Sequence, residues 1–358
     1  MKEVNTFIDV INPKSNDTVL VYDVQASESG ALSILIDFYN QVKNHPDKTV
    51  KWIFVISTPQ LQLEDNIVIE RHSWVKKSWF HRLKFEYADV RKLIEKYHPT
   101  HLLSLQNKGI EFFHGHQVVY LHMSLFLSDH KFNMKADGKK LWIYQNIIGK
   151  MVLSSLKKVD TIIVQTKWMK EALVRKTQVN SNRVIVQHPI IGLDEIEPFK
   201  ERQENYRSFF YPATAFPYKN HWTLLKAIKI AQDMGMSDYN LTLTINKDDN
   251  DLARELFDFA VKNSLMVDFK GPIPRKSVYE KYAASVLIFP SYMESFGLPL
   301  LEARETGSPV IASDTLFSHE ILDGYQKAVF FPELDEKALS SCILSMYHNY
   351  RKVGDENL

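Results

Sequence analysis

The chain has 358 residues, too many for one ordinary core and enough for two domains. Its 45% hydrophobic and 24% charged content is that of a folded globular protein, and a single cysteine, Cys342, excludes an intramolecular disulfide framework. The net charge of +1 hides an asymmetry. Residues 1–190 carry 26 basic against 18 acidic side chains, and the remainder carries 18 against 25, so the halves are expected to face different partners. No apolar run approaches the roughly 20 residues that span a bilayer, and Met1-Lys2-Glu3-Val4-Asn5 has no signal-peptide pattern. A cytoplasmic location is the expectation.

Short apolar runs alternate with helical patterns, which predicts parallel α/β layering. Strands are expected at 18–24, 50–57, 101–105, 117–122, 161–166 and 184–187. After the first comes the polar loop Gln25–Gly30 and a helix from Ala31 to about Lys43. Its single glycine, Gly30, can bring backbone close to a phosphate or sugar, and it forms no Gly-x-Gly-x-x-Gly, which counts against a dinucleotide dehydrogenase. Residues 71–84 interleave Arg71, Lys76, Lys77, Arg82 and Lys84 with Trp74, Trp79 and Phe80. Lys131 through Lys158 is a second basic region with Trp142, Ile147 and Ile148. Such segments suit an anionic membrane surface, a single-stranded nucleic acid, or a core-facing helix with a solvated basic face. No nucleic-acid-binding module accompanies them, so nucleic acid is not an expected partner. His114-Gly115-His116 lacks the Cys or carboxylate set of a metal site, and no metal is expected. His122 closes the run Val118–Leu121, where open α/β sheets meet their ligands.

Around 189–203 the pattern lapses into a linker, and a second alternating set follows. Strands are expected at 207–213, 241–246, 266–270, 286–290, 309–312 and 328–332, with a last helix from about Asp335 to Arg351. Lys219, in Pro217-Tyr218-Lys219-Asn220, stands where the strand at 207–213 hands over to the helix Trp222–Ala231, within reach of a diphosphate held at a neighbouring helix start.

The most informative segment is Pro290–Ala303. The run Val286–Phe289 reads as a short buried strand, and Pro299 suits the first turn of a helix. Glu294 then lies in the loop and Glu302 just inside the helix. Between them, the helix start forms an anion site and Gly297 permits close approach to backbone. An anion flanked by two carboxylates that accept hydrogen bonds from hydroxyls suits a sugar nucleotide.

Glu294-x7-Glu302 with Ser295-Phe296-Gly297-Leu298-Pro299-Leu300-Leu301-Glu302-Ala303 resembles the retaining glycosyltransferases of family 4, which have the GT-B fold. Val164–Lys170, Pro217–Asn220 and Thr306–Ile311 extend the likeness, which is closest to bacterial transferases of capsule and O-antigen assembly. The resemblance implies two Rossmann-like domains facing each other across a cleft: residues 1–190 binding acceptor, 191–335 binding donor, and a helix at 336–358 packing back on the first domain. It implies that Glu302 grips the donor ribose, Glu294 the transferred sugar, and the backbone of Ser295, Phe296, Gly297 and Leu298 the distal phosphate. Lys219 would stabilise the leaving diphosphate, and His122 and the Gly30 loop would meet the donor across the cleft. Backbone near Gly271-Pro272-Ile273 would receive the base. Many relatives carry an arginine before the lysine; here Ala213, Thr214 and Ala215 stand instead, leaving Thr214 as the residue at that place. Glu320 matches an acid that many relatives have, with a structural role expected.

The implied function is transfer of a hexose-type sugar from a UDP- or GDP-sugar to a glycan or lipid-linked glycan, without metal or other cofactor, at the inner face of the cytoplasmic membrane. A sugar-nucleotide epimerase or phosphorylase of the same architecture, and a catalytically silent sugar-nucleotide binder, are the competing readings.

Overall fold

The computed structural model describes residues 6–26, 29–135, 137–189 and 197–355. They form two compact units that divide between His188 and Pro189. The linker expected at 189–203 lies partly outside the described residues. Where the chain resumes it is already fastened to the second unit, with Phe199 N donating to Thr306 O at 2.7 Å and Lys200 N to Ala283 O at 2.9 Å.

The first unit holds seven parallel strands: β1 Thr18–Asp23, β2 Lys51–Ile56, β3 Ile67–Arg71, β4 His101–Ser104, β5 His116–Leu121, β6 Thr161–Val164 and β7 Val184–Val186. Their order is β3-β2-β1-β4-β5-β6-β7. Side chains such as Leu20, Val21, Ile53, Phe54, Val118 and Val119 are fully buried on both faces. Helices cover both sides of such a sheet, so its strands read as continuous apolar runs. The edge strand β3 was not expected from sequence. Its burial is partial, and Glu70 and Arg71 end it, so the apolar run that marks the inner strands is missing.

The second unit holds β8 Ser208–Tyr211, β9 Asn240–Leu243, β10 Val267–Phe269, β11 Val286–Phe289, β12 Val310–Ser313 and β13 Ala328–Phe331, in the order β10-β9-β8-β11-β12-β13, again all parallel. Each sheet reverses its direction of winding once, between β1 and β4 and between β8 and β11. At such a point the loops leaving two neighbouring strands diverge, opening a crevice at the carboxyl ends.

The last helix, Glu336–Asp355, packs against the helix His221–Asp233 within the second unit. Its buried stripe includes Leu339 and Ile343, the Tyr347 hydroxyl donates to Ser237 O, and the Arg207 guanidinium lies 5.4 Å from the Tyr347 ring.

Candidate active site

The two loops at the second switch point carry the chemistry. After β8 the chain runs through Pro212–Phe216 into one 3₁₀ turn, Pro217–Lys219, and Asn220 then takes a left-handed conformation with φ 59°. Asparagine tolerates that region better than most residues. Its side chain Nδ2 donates to Pro290 O at 3.1 Å, tying this loop to the one leaving β11. Lys219 therefore ends the turn before the helix His221–Asp233, rather than sitting inside its start. A backbone bond from Tyr292 N to Tyr218 O at 3.1 Å closes the seam.

After β11 the loop from Pro290 leads to Gly297, which has φ 94° and begins the helix Leu298–Thr306. Only glycine takes this conformation without strain, and a Cβ here would stand 3.2 Å from Leu300 Cδ1. Pro299 occupies the first turn and no side chain caps the helix start. The positive end of the helix dipole is thus presented beside the loop that carries Glu294. Phe296 and Gly297 are buried, Ser295 is half-buried, and Leu298 is exposed.

Lys219 Nζ lies 2.5 Å from Glu294 Oε1, with both side chains largely shielded from water. Glu302, one turn into the helix, accepts from the Tyr282 hydroxyl at 3.0 Å and lies 4.0 Å from the Arg275 guanidinium. Burial raises its carboxyl pKa above the ordinary value, while Tyr282 and Arg275 oppose that shift. Half-buried Ile273 leads into the helix Arg275–Tyr282 that supplies both partners. Two residues earlier Gly271, at φ 67°, packs so closely on Asn246 that a Cβ would fall 2.3 Å from its Oδ1. Thr214 is exposed, and its carbonyl accepts from Phe216 N at 2.9 Å.

Tyr211, Ser291 and Ser313 were not singled out by the sequence. Tyr211, fully buried at the end of β8, donates its hydroxyl proton to Lys219 O at 2.8 Å. Having one proton, it accepts from Ser291 Oγ at 2.7 Å. Ser291 O in turn accepts from the Ser313 hydroxyl. Three buried hydroxyls thus link the ends of β8, β11 and β12 and hold both loops in register. Their only signal in sequence is a polar atom closing each apolar run.

In the first unit His122 follows β5 and is held by Asn107, which sequence reasoning also passed over. Asn107 sits in the left-handed region at φ 66° beyond β4. Its Oδ1 accepts from His122 N at 2.7 Å and Met123 N at 2.9 Å, and its Nδ2 lies 3.1 Å from His122 Nε2. Nε2 is therefore the acceptor and Nδ1 carries the proton. Nδ1 is buried without a hydrogen-bond partner among the described residues. Burial lowers the His122 pKa to about 4, so the ring is neutral near pH 7 and offers an N–H donor. Gly30 falls in the first turn of the helix Ser29–Asn44 rather than in a free loop; Ser27 and Glu28 lie outside the described residues. The helix thus starts two residues earlier than expected.

The structure thus gathers Lys219, Glu294, Glu302 and the Ser295–Leu298 turn in the second unit, and places His122 and Gly30 in the first, at carboxyl ends of strands. Among the described residues no group of three His, Cys, Asp or Glu side chains could hold a metal. His116 pairs with Asp160 at 3.9 Å at the opposite, amino end of β5.

The second unit is thus a doubly wound α/β domain with two carboxylates, Glu294 and Glu302, and Lys219 at its switch point. Residues 194–355, most of the second unit, match the family model of the glycosyl transferases group 1. The O-antigen chain mannosyltransferase RfbU of Salmonella typhimurium is 27% identical over 220 residues, 58% of each chain. A D-inositol 3-phosphate glycosyltransferase of Streptomyces avermitilis is 28% identical over 184 residues, 47% of this chain and 39% of its own length. The chain thus spans about half the length of the curated relatives it matches. Among solved structures, a sucrose-phosphate synthase from Thermosynechococcus elongatus superposes with a TM-score of 0.67 at 15% identity, covering 94% of this chain and 90% of its own. The Anabaena HepE protein in complex with UDP-glucose gives 0.66 at 14% identity, covering 95% and 94%. These likenesses show the GT-B fold.

Proposed function

We propose that the chain transfers a hexose-type sugar from a UDP- or GDP-sugar to a glycan acceptor, with retention of anomeric configuration. The observation that carries this reading is the Lys219–Glu294 pair at 2.5 Å beside the uncapped start of the helix that bears Glu302. The pair is a neutralised resting arrangement of two groups with different tasks. An incoming diphosphate takes Lys219 and the helix start, which together stabilise charge on the leaving group. Glu294 is then released to accept from hydroxyls of the transferred sugar. Glu302 accepts from the ribose, and backbone near Ile273 meets the base. The leaving phosphate assists attack on the same face of the sugar, so no protein nucleophile is assigned. His122 donates its Nδ1–H to the donor. Metal is dispensable because the lysine and the helix dipole already offset the phosphate charge.

The O-antigen mannosyltransferase relative supports a role in cell-surface polysaccharide assembly, and the UDP-glucose complex of HepE supports a nucleotide-sugar donor. The basic first unit suits a lipid-linked acceptor at the inner face of an anionic membrane. No helix among the described residues is long and apolar enough to cross one.

The test is nucleotide release from a panel of UDP- and GDP-hexoses with a glycan acceptor, followed by proton NMR of the new anomeric linkage. Release with retained configuration, unchanged by EDTA, is expected. An inverted linkage, or activity abolished by EDTA and restored by magnesium, would contradict the mechanism.

A further inference from the structure

The segment that interleaves basic and aromatic residues plays no part in the donor site. It opens the helical stretch 79–97, which runs from the carboxyl end of β3 back to the amino end of β4. The stretch 139–156 does the same between β5 and β6. Because the strands are parallel, both stretches begin at the carboxyl end of the first sheet. The loop after β4 touches both. Lys108 Nζ donates to Glu86 Oε2 at 2.8 Å, and Gly109 N donates to Ser155 Oγ at 3.1 Å, so the two stretches are neighbours.

In each, packing begins late. Trp79–Lys84 has no buried residue, and neither does Lys139–Ile143 or the π-helical turn Tyr144–Ile148. The first buried positions are Phe85 and Gly149. The early turns nonetheless carry large apolar side chains. Trp79 is 54% and Phe80 73% exposed, and Tyr87, Ile147 and Met151 are exposed as well. Ile147 and Met151, four residues apart, share one helix face.

Cations surround these groups without acids between them. Residues 71–85 include Arg71, Lys76, Lys77, Arg82 and Lys84 and no Asp or Glu. Residues 139–159 include Lys139, Lys140, Lys150, Lys157 and Lys158 and again no acid. Glu86, the first acid to follow Phe85, is already bonded by Arg82 at 3.2 Å as well as by Lys108. Exposed Trp and Tyr suit the headgroup level of a bilayer, aliphatic groups reach the acyl boundary, and each nearby Lys or Arg adds attraction to anionic lipid. A single-stranded nucleic acid would stack on the aromatic rings and leave Ile147 and Met151 unused.

We propose that the first unit docks on an anionic phospholipid surface through the starts of these two stretches. Trp79 and Phe80 enter at headgroup level with Ile147 and Met151 beside them. Exposed Lys77, Lys84, Lys139, Lys140 and Lys150 meet the lipid phosphates. Val24 and Gln25, which leave β1, share the wall of one hollow with Lys76, Ser78, Trp79 and Arg82, so the docked surface adjoins the carboxyl end of the sheet. A lipid-linked acceptor thus reaches that end from the bilayer. This benefit rests on the glycosyl-transfer reading above; the docking itself does not.

The test is co-sedimentation of the full chain with vesicles of mixed phosphatidylglycerol and phosphatidylcholine and with vesicles of phosphatidylcholine alone, beside filter binding of a single-stranded DNA oligonucleotide. Wild type is compared with three double variants: Trp79→Ser with Phe80→Ser, Ile147→Ser with Met151→Ser, and Lys77→Glu with Lys84→Glu. Met234→Ser with Val261→Ser, which alters exposed apolar residues of the second unit, is the control. UDP and GDP are titrated into each protein, with unchanged affinity expected. Wild type should bind the anionic vesicles at least several-fold better than the neutral ones and lose affinity in high salt. The lysine reversals should weaken binding about tenfold or more. Each apolar pair should weaken it several-fold, and the control should bind as wild type does. No binding to anionic vesicles, equal binding to neutral ones, binding indifferent to all three double variants, or a preference for the oligonucleotide would overturn the proposal. Nucleotide binding without vesicle binding would overturn the docking surface and leave the transfer reading standing. Vesicle binding with these dependences in a protein that binds neither nucleotide would support the surface and overturn the transfer reading.

Discussion

At the scale of single residues, ion-pair and burial effects set the expected responses. Lys219 has a partner already, so Lys219→Ala does two things. It leaves Glu294 shielded and uncompensated, and it removes the cation from the leaving group. Turnover should fall on the order of 100-fold or more, as when one preorganised oxyanion partner is lost. Steady-state kinetics with a nucleotide sugar would check this; a loss under threefold would remove Lys219 from the mechanism. In the proposed site Glu302 would accept from hydroxyls in its ionised form, and burial raises its pKa. Nucleotide affinity should therefore decline as pH falls, beginning above the ordinary carboxylate range. Titrations that stay flat down to that range would argue against it. Asp23 shows the same physics in the first unit. It is 2% exposed, Oδ1 accepts from Ala26 N at 3.1 Å, and Oδ2 has no partner among the described residues. Burial raises its pKa to about 7 from 3.8. A folded-state pKa above the unfolded one means that stability is highest when Asp23 is protonated and is lost as pH rises from about 4 through 7. Asp23→Asn removes that penalty, so it should raise the urea midpoint at pH 8 and change it little at pH 4. Equal effects at both pH values would show that ionisation of Asp23 is not the cause.

At the scale of elements, the apolar runs made nearly every inner strand legible, because strands buried on both faces leave a continuous signature. The edge strand β3 escaped because an edge needs no such run, and the π-helical turns Phe85–Asp89 and Tyr144–Ile148 escaped because a five-residue spacing belongs to neither helix nor strand. Gly297 and Pro299 were legible since each answers a local backbone demand at a strand–helix junction, and Glu294 and Glu302 were singled out by the spacing of the motif around them. The hydroxyl chain Tyr211–Ser291–Ser313 and the Asn107 bracket around His122 were not, because they join residues far apart in sequence through contacts that only the sheet order creates. Tyr211→Phe should test the chain. It removes two hydrogen bonds in a buried setting, and about 1–3 kcal/mol of stability should go with them. Turnover should fall more than nucleotide affinity, since the loops that carry Lys219 and Glu294 lose their common anchor. Unchanged stability with unchanged turnover would show the chain to be dispensable.

At the scale of the whole molecule, two units of the same winding carry different chemistry. The acid-rich second unit nonetheless places a lysine, a helix start and a glycine-bounded turn where a diphosphate can sit, so net charge says little about the site. The basic first unit concentrates cations and exposed aromatics on the segment 71–87, which the sequence marked without saying what it binds. The central claim is that the switch point of the second unit is a sugar-nucleotide site. Isothermal titration of UDP and GDP into wild type and Glu302→Ala tests it most directly. The account predicts micromolar binding of one nucleotide to wild type and its loss in the variant. Binding of neither nucleotide to a folded wild type, or equal binding to both proteins, would contradict it.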